Sequence, residues 1–459
     1  MTTKARLTIF DFTMIVVSLV IGMGIFRAPL NVAQAVPSEA VFFLAWLAGG
    51  LVAWCGALTY AEIGSRLPVT GGYYKVFSYA YHPSVAFGIN CVILVSNAAS
   101  LAGVALVGGE YITGILIPNS GDAVWMKIPA NASFVQNVHA AIAIAAIVIF
   151  YGVNLLGLKM SARTQNVLTI VKITLILLLI TPVFFAAPPH VLSSATAVAP
   201  STIDYIKAFG IGLVAVNFSY GGYQQTINFG AEVDNARRNI PRGIFFGISI
   251  IILLYLTINY AYVRVIGFDT LHQAQTKNIA AIMASKIFGV NAERILSVFL
   301  FLSVLAYVNV LLMSNPRVMF AMSEDGILPA IFQKRNSRTD TLTISLTVFA
   351  ALCILIVFWA KEFDTILSFS IFLDSFGMVL SAATIFILRK RAKENEGAIY
   401  TMKLYPWLPL LFIAAYVFVA ISIAVDYRNN KNAALVGSLV MLAFIIVYFT
   451  VNRFKKSRV

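Results

Sequence analysis

Charge is what this sequence has least of. Only 11% of its 459 residues are Asp, Glu, Lys or Arg, while 60% are hydrophobic. A soluble domain carries about 25% charged and 45–50% apolar residues, so water cannot be this chain's only solvent. Cysteine is scarce too. Cys55, Cys91 and Cys353 each sit inside an apolar run, which excludes a disulfide scaffold. The four histidines (His82, His139, His190, His272) are scattered and show no metal-ligand spacing. His-Glu-x-x-His, Gly-x-Ser-x-Gly and paired carboxylates within one run are all missing, so neither membrane-enzyme chemistry nor a cofactor is expected. No filter motif of an ion channel is present. The formal charge of +14 is spread over short loops and forms no stripe, which argues against nucleic acid.

What the chain has instead is long apolar runs from end to end. A spanning helix needs about 20 mainly apolar residues. Twelve runs qualify: 9–34, 39–65, 84–110, 138–157, 164–186, 204–230, 243–266, 294–323, 342–360, 364–389, 404–425 and 432–452. The stretch 277–288 is too short and polar, and is expected as an outer loop helix. The first run is long, polar at its middle and followed directly by another, so it is expected to stay as a membrane helix and not to be cleaved. Most of the 33 Lys and Arg fall in loops that share a side with the termini. The positive-inside rule then places both termini in the cytoplasm of a multi-pass protein of an inner or plasma membrane. The fold class expected is an all-α membrane protein, with 1–459 as one transmembrane domain.

Two runs are interrupted by glycine. The first reads Val20-Ile21-Gly22-Met23-Gly24-Ile25-Phe26 and the sixth Asn217-Phe218-Ser219-Tyr220-Gly221-Gly222-Tyr223-Gln224. Each glycine costs a helix about 0.8–1 kcal/mol relative to alanine. Close helix packing is the plain explanation of either pair alone. Their relation says more, because they open spans 1–5 and spans 6–10. Interrupted segments at matching positions of two halves mark a transporter site at an inverted-repeat interface. The repeats would run over roughly 9–186 and 204–389, with 404–452 added. Amides opening the outer half of the first break, around Met23, Gly24 and Ile25, suit a carboxylate. Carbonyls near Ile21, Phe218 and Ser219 suit an α-ammonium. An amino acid is the solute such a site would hold.

Several stretches resemble the amino acid–polyamine–organocation (APC) superfamily. Ala57-Leu-Thr-Tyr-Ala-Glu62-Ile-Gly-Ser-Arg66-Leu-Pro-Val-Thr-Gly-Gly-Tyr-Tyr74 is similar to that superfamily's second-helix signature. Phe218-Ser219-Tyr220-Gly221-Gly222-Tyr223, followed by Glu232, Asn235 and Arg238-Asn239-Ile240-Pro241, resembles its pattern from helix 6 to helix 7. Arg317 with Ala321-Met322-Ser323-Glu324-Asp325-Gly326-Ile327-Leu328-Pro329 resembles its loop from helix 8 to helix 9. Gly22-Met23-Gly24-Ile25-Phe26 matches the break in helix 1, and Asn154, Gly157, Lys159 and Gln165 the turn between helices 4 and 5. Within the superfamily the chain looks nearest to the L-type-like amino-acid transporters.

The resemblance implies a LeuT-type five-plus-five inverted repeat, discontinuous helices 1 and 6, alternating access, and a substrate at the two breaks. It departs from the L-type pattern at three places. Tyr223 and Gln224 stand where Trp and Asn are usual, so the side-chain pocket and outer gate would differ. Pro316 precedes Arg317 and would kink helix 8. The outer loop 111–137 has no cysteine, so a disulfide-linked subunit is not expected.

Ionisable residues within membrane spans are functional candidates. Lys172 lies nine residues past Arg163, roughly 13 Å deep along a helix, which is too deep for easy snorkelling. By resemblance it matches a helix 5 lysine that stands where sodium-coupled relatives hold a cation. It would then donate to helix 1 carbonyls, carry the coupling proton, and make transport sodium-independent. Asp374, midway along its run, is open to two readings: a satisfied structural pair, or substrate reading or proton coupling. Glu62 and Arg66 read first as an i,i+4 pair and second as a cytoplasmic gate. Arg27 reads first as an outward-snorkelling side chain and second as a residue that attracts carboxylates in the outer vestibule. Asn97, Ser100, Asn217, Asn228 and Asn309 are mid-span polar residues suited to interhelical hydrogen bonds, with Ser100 and Asn309 also candidate pocket residues. The substrate site is thus expected at Ile21, Gly22, Met23, Gly24, Ile25, Ser100, Phe218, Ser219, Tyr220, Gly221, Tyr223, Gln224, Asn309 and Asp374, with Lys172 as the coupling residue. Neutral amino acids are the expected cargo; basic amino acids or polyamines are the alternative.

Overall fold

A backbone surrounded by lipid must satisfy its own hydrogen bonds, so apolar runs become helices. In the computed structural model, α-helix covers part or all of each of the twelve predicted runs. The structure describes residues 7–116, 132–186, 202–273, 279–359, 363–391, 400–425 and 433–456. Most of the outer loop 111–137, whose lack of cysteine bears on a linked subunit, lies outside the described residues.

The elements run α1 (Ile9–Val20), α2 (Gly24–Ala35), α3 (Glu39–Arg66), α4 (Gly72–Ala80), α5 (Pro83–Leu116), α6 (Ala132–Leu155), α7 (Leu158–Ile180) and α8 (Thr202–Tyr220). After two short 3-10 segments, Tyr223–Asn228 and Gly230–Glu232, come α9 (Ala236–Ile266), α10 (Phe268–Gln273), α11 (Ile279–Phe288) and α12 (Ala292–Glu324). The chain ends in α13 (Thr343–Trp359), α14 (Phe363–Arg391), α15 (Trp407–Val425) and α16 (Ala433–Lys456). The helix expected over 277–288 is α11.

Among the described residues, seven helical stretches are long and apolar enough to cross a membrane: Ile9–Ala35, Glu39–Arg66, Pro83–Ile115, Phe134–Leu155, Leu158–Phe184, Ala236–Ile266 and Arg294–Glu324. Thr343–Phe358, Trp407–Ile423 and Ser438–Thr450 are shorter apolar helices.

Packing places the first break at the centre. α1 packs against α7, α9 and α12, and α2 against α8 and α10. α5 is the hub of the other side, touching α6, α12, α13, α14 and α16. The polarity of the molecule is that of a lipid-solvated body. Large apolar side chains such as Leu51, Ile149, Val167, Leu253, Leu355 and Ile446 face outward. Amides and hydroxyls, among them Asn90, Asn97, Gln165, Asn309 and Ser314, are buried. In lipid the hydrophobic effect does not drive helices together, so buried hydrogen bonds and close packing take on that role.

Local signals explain the ends of the breaks. Thr8 and Asp11 form a reciprocal capping box at the start of α1, and Asp11 also accepts from Asn166 Nδ2 at 2.6 Å, tying α1 to α7. α12 continues through Pro316, although proline supplies no amide to the carbonyl one turn back. The sixth run departs from a simple half-helix pair. α8 stops at Tyr220, and the run continues beyond it as 3-10 and not α-helix. Gly222 takes a left-handed conformation, φ 109° and ψ −28°, which breaks the α run and which residues with a Cβ rarely adopt.

Candidate functional site

The two breaks lie face to face and run in opposite directions. A Cβ built on Gly24, just after the first break, would lie 2.9 Å from Ser219 Cα, just before the second. A Cβ on Gly222, just after the second, would collide with the Leu19 carbonyl oxygen, just before the first. The glycines are there because backbone approaches backbone with no room for a side chain.

Beside this crossing opens a cavity of about 800 Å³ of unfilled space, counting its open mouth. Its walls come from α1 and α2 (Leu19, Val20, Gly22, Met23, Gly24), the second break (Asn217, Phe218, Gly221, Gly222, Gln224, Gln225), α5 (Asn97, Ser100, Val104), α12 (Tyr307, Leu311), α14 (Asp374, Met378) and Tyr416 of α15. The first amides of a helix have no intrahelical acceptor. Those of α2 open at this cavity, and no side chain caps them.

The carbonyls of the breaks are partly engaged from behind. Lys172 is fully buried, and its Nζ donates to the Ile21 carbonyl and, at 3.5 Å, to Ser18 Oγ. The Tyr255 hydroxyl lies 3.2 Å from the Val20 carbonyl and 3.1 Å from that of Ser219, bridging the two breaks. Gln224 Oε1 accepts from the Gly222 amide at 2.9 Å, closing the second break on itself. Behind Lys172 a chain of carboxamides leads away from the cavity. Gln165 Nε2 donates to Ser18 Oγ at 2.5 Å, Asn309 Nδ2 to Gln165 Oε1 at 2.7 Å, and Asn154 Nδ2 to Asn309 Oδ1 at 2.9 Å.

Eight of the expected site residues therefore border the cavity: Gly22, Met23, Gly24, Ser100, Phe218, Gly221, Gln224 and Asp374. Six expected substrate residues stand elsewhere. Ile21 and Ile25 have buried side chains, and Ile21 offers its carbonyl to Lys172. Ser219 backs the crossing at Gly24. Tyr220 packs edge-on against Trp46 and tilted against Tyr255, with centroids 6.0 and 5.0 Å apart. Tyr223 is buried against Tyr60, 5.9 Å away, with its hydroxyl in the space left by Gly56. Asn309 is buried in the carboxamide chain. Lys172, the expected coupling residue, lies behind the break wall.

Residues that the sequence pattern did not place at the cavity include Gln225, Tyr307 and Tyr416, while Asn97 and Asn217 were assigned only interhelical bonds. Gln225 Nε2 donates to Asn97 Oδ1 at 2.9 Å, and Asn97 Nδ2 donates to Asn315 Oδ1 at 2.7 Å. Tyr307 lies against Gly22 and hydrogen-bonds Ser100 at 2.9 Å. An aromatic or amide in mid-run next to a glycine break is the signal that points to them, but one run by itself does not say which face meets the break.

Two further charged clusters stand away from the cavity lining. The Glu62 side chain has no exposure and accepts from Arg66 (2.9 Å), from Nε and Nη2 of Arg389 (2.8 and 2.7 Å) and from the Met402 amide (2.9 Å). It joins α3, α14 and the segment before α15, so its contacts extend well beyond an i,i+4 pair. Arg27 pairs with Glu110 of α5 at 3.0 Å, both side chains partly exposed.

Comparison with known proteins agrees with this architecture. The model of the amino acid permease family matches residues 7–456. The chain is similar to the serine/threonine exchanger SteT of Bacillus subtilis, 28% identical over 451 residues that make up 96% of each chain. It is also similar to the human cystine/glutamate transporter, 24% identical over 97% of this chain and 85% of that one. The methylthioribose transporter of B. subtilis is 29% identical over 72% of this chain and 69% of the other. With two interrupted segments crossing beside a polar cavity and a family match over nearly its whole length, the chain belongs to the amino acid permease family of the APC superfamily.

Proposed function

We propose that this protein is a sodium-independent amino-acid carrier that works by alternating access, exchanging one amino acid for another across an inner or plasma membrane. The antiparallel crossing of the two breaks carries this reading. It gathers uncapped amides of α2 and main-chain carbonyls beside one cavity, so both ends of a zwitterion find partners without a bound ion. The substrate carboxylate would sit on the amides at Met23 and Gly24. The α-ammonium would take carbonyls at the end of α1 and around Phe218.

Twelve spans in two inverted repeats, roughly 9–186 and 204–389, with both termini cytoplasmic, form the frame of this reading. Sodium independence is supported by the Lys172 ammonium, which already fills the cationic position beside Ile21. Neutral amino acids are the first expected cargo. The names of the relatives, a serine/threonine exchanger and a cystine/glutamate transporter, favour exchange of amino acids over a channel.

The test is uptake of a labelled amino-acid panel into proteoliposomes of the full chain, with and without sodium, a pH gradient or internal substrate. Saturable uptake, accelerated by internal amino acid and unchanged when choline replaces sodium, is expected. Uptake that requires sodium, or that never saturates, would overturn the reading.

A further inference from the structure

We propose that Asp374 is the specificity-determining residue of the cavity: its carboxylate accepts a hydrogen bond from the substrate side chain. The protein would then carry amino acids whose side chains donate a hydrogen bond, through a hydroxyl, carboxamide or ammonium group, and reject those ending in a carboxylate. This rests on the reading of the cavity as an amino-acid site.

Three acids of the described interior make the argument by contrast. Glu62 is held by Arg66 and Arg389. Glu232 accepts from Arg317 Nε at 2.6 Å. Each is paired as a buried charge must be. Asp374 is built differently. Its only hydrogen bond among the described residues comes from Ser96 Oγ at 3.3 Å, longer than the roughly 2.5–2.7 Å of a hydroxyl bound firmly to a carboxylate. No Lys or Arg stands among the described residues that line its cavity. An intramembrane carboxylate left with a single weak donor gains most from a donor that arrives with the substrate.

Its place suits the side chain and not the α-groups. Tyr307 lies against Gly22 at the first break and reaches the Ser100 hydroxyl. Ser96, the partner of Asp374, is one turn of α5 away from Ser100, about 6 Å along a helix axis. The partner of the carboxylate is thus one turn from the hydroxyl end of Tyr307, whose ring edge meets Gly22. Tyr307, Met378 and Tyr416 are neutral lining residues around it. With no cation among the described lining residues, a second carboxylate would meet like charge.

Isosteric pairs read this directly. Threonine and valine share a shape, as do glutamine and glutamate. Melting shifts of the purified full-length protein in detergent would be titrated with each of the four. Threonine is expected to act at roughly tenfold lower concentration than valine, and glutamine at roughly tenfold lower than glutamate, the scale of a buried hydrogen bond left unmade. Asp374→Asn should admit glutamate and erase the second ratio. Asp374→Leu should bring the first ratio close to one.

Wild-type protein that binds these amino acids with neither preference overturns this inference alone, even if no variant folds. Variants that stay monodisperse and keep both ratios make Asp374 structural, with the same result. Protein that shows no shift with any of the twenty amino acids overturns the cavity assignment as well.

Discussion

The two breaks face each other yet are held in opposite ways. After the first, the chain resumes as the regular 12-residue α2. Its connection, Ile21 to Met23, is supported by a few bonds: Lys172 on the Ile21 carbonyl, Tyr255 on Val20, and the Gly22 amide on Val20 at 2.8 Å. After the second, the chain never returns to α-helix within that run, but nearly every residue is tied. Gln224 caps Gly222, Thr226 Oγ1 donates to the Tyr223 carbonyl at 2.6 Å, Gln225 holds Asn97, and Asn228 Nδ2 donates to Ser314 at 3.0 Å. Asn228 also receives the Tyr73 amide on its side chain and the Gly71 amide on its carbonyl. Local stability tracks such contacts. The first break therefore offers unfilled amides and few restraints, as a ligand contact should, while the second is the fixed wall against which it works.

The contrast breaks most severely at Gly222. Gly222→Ala must force a left-handed φ on a residue with a Cβ and drive that atom into the Leu19 carbonyl. A loss of about 3 kcal/mol is expected from strain and clash together, seen as a large fall in melting temperature or in monodisperse yield. A wild-type melting curve would mean the breaks do not touch.

Next comes the one strong support of the first break. Lys172→Ala leaves the Ile21 carbonyl and Ser18 without that donor. About 2 kcal/mol is expected for such buried groups, read as a roughly thirtyfold drop in exchange rate. Exchange equal to wild type would remove Lys172 from the mechanism.

A smaller effect tests the carboxamide chain behind it. Asn309→Ala strips a donor from Gln165 and an acceptor from Asn154 and should cost between about 1 and 2 kcal/mol of stability. Asn309 does not line the cavity, so the concentration of amino acid that half-saturates binding should stay within about twofold of wild type. A large affinity change would return Asn309 to the site. The smallest effect is expected at Gln224→Ala. It removes one hydrogen bond of a wall with many, about 1 kcal/mol, and titration should show only a few-fold weaker binding.

Much of this was legible along the chain. Apolar runs announced the helices because lipid leaves a backbone no other partner. Gly22, Gly24, Gly221 and Gly222 announced the breaks because glycine weakens a helix, and at Gly24 and Gly222 the close backbone approach leaves no room for a side chain. Lys172 stood out because an ammonium so deep needs an acceptor, and it found one in Ile21. What the chain did not disclose was rotation. Tyr220 and Tyr223 flank the break yet turn into α3 and α9, and Asn309 turns to Gln165, while Tyr307, two residues away on α12, faces the cavity.

The residue sequence by itself determined where helices form, where they fail and which family the chain joins, because those depend on local backbone chemistry and short motifs. Tertiary packing alone decided which polar side chains meet in the cavity and that Asp374, unlike Glu62 and Glu232, has no paired cation among the described residues. A helix apolar on every face carries no periodic mark of its inner side, so its phase is set only when its neighbours close around it.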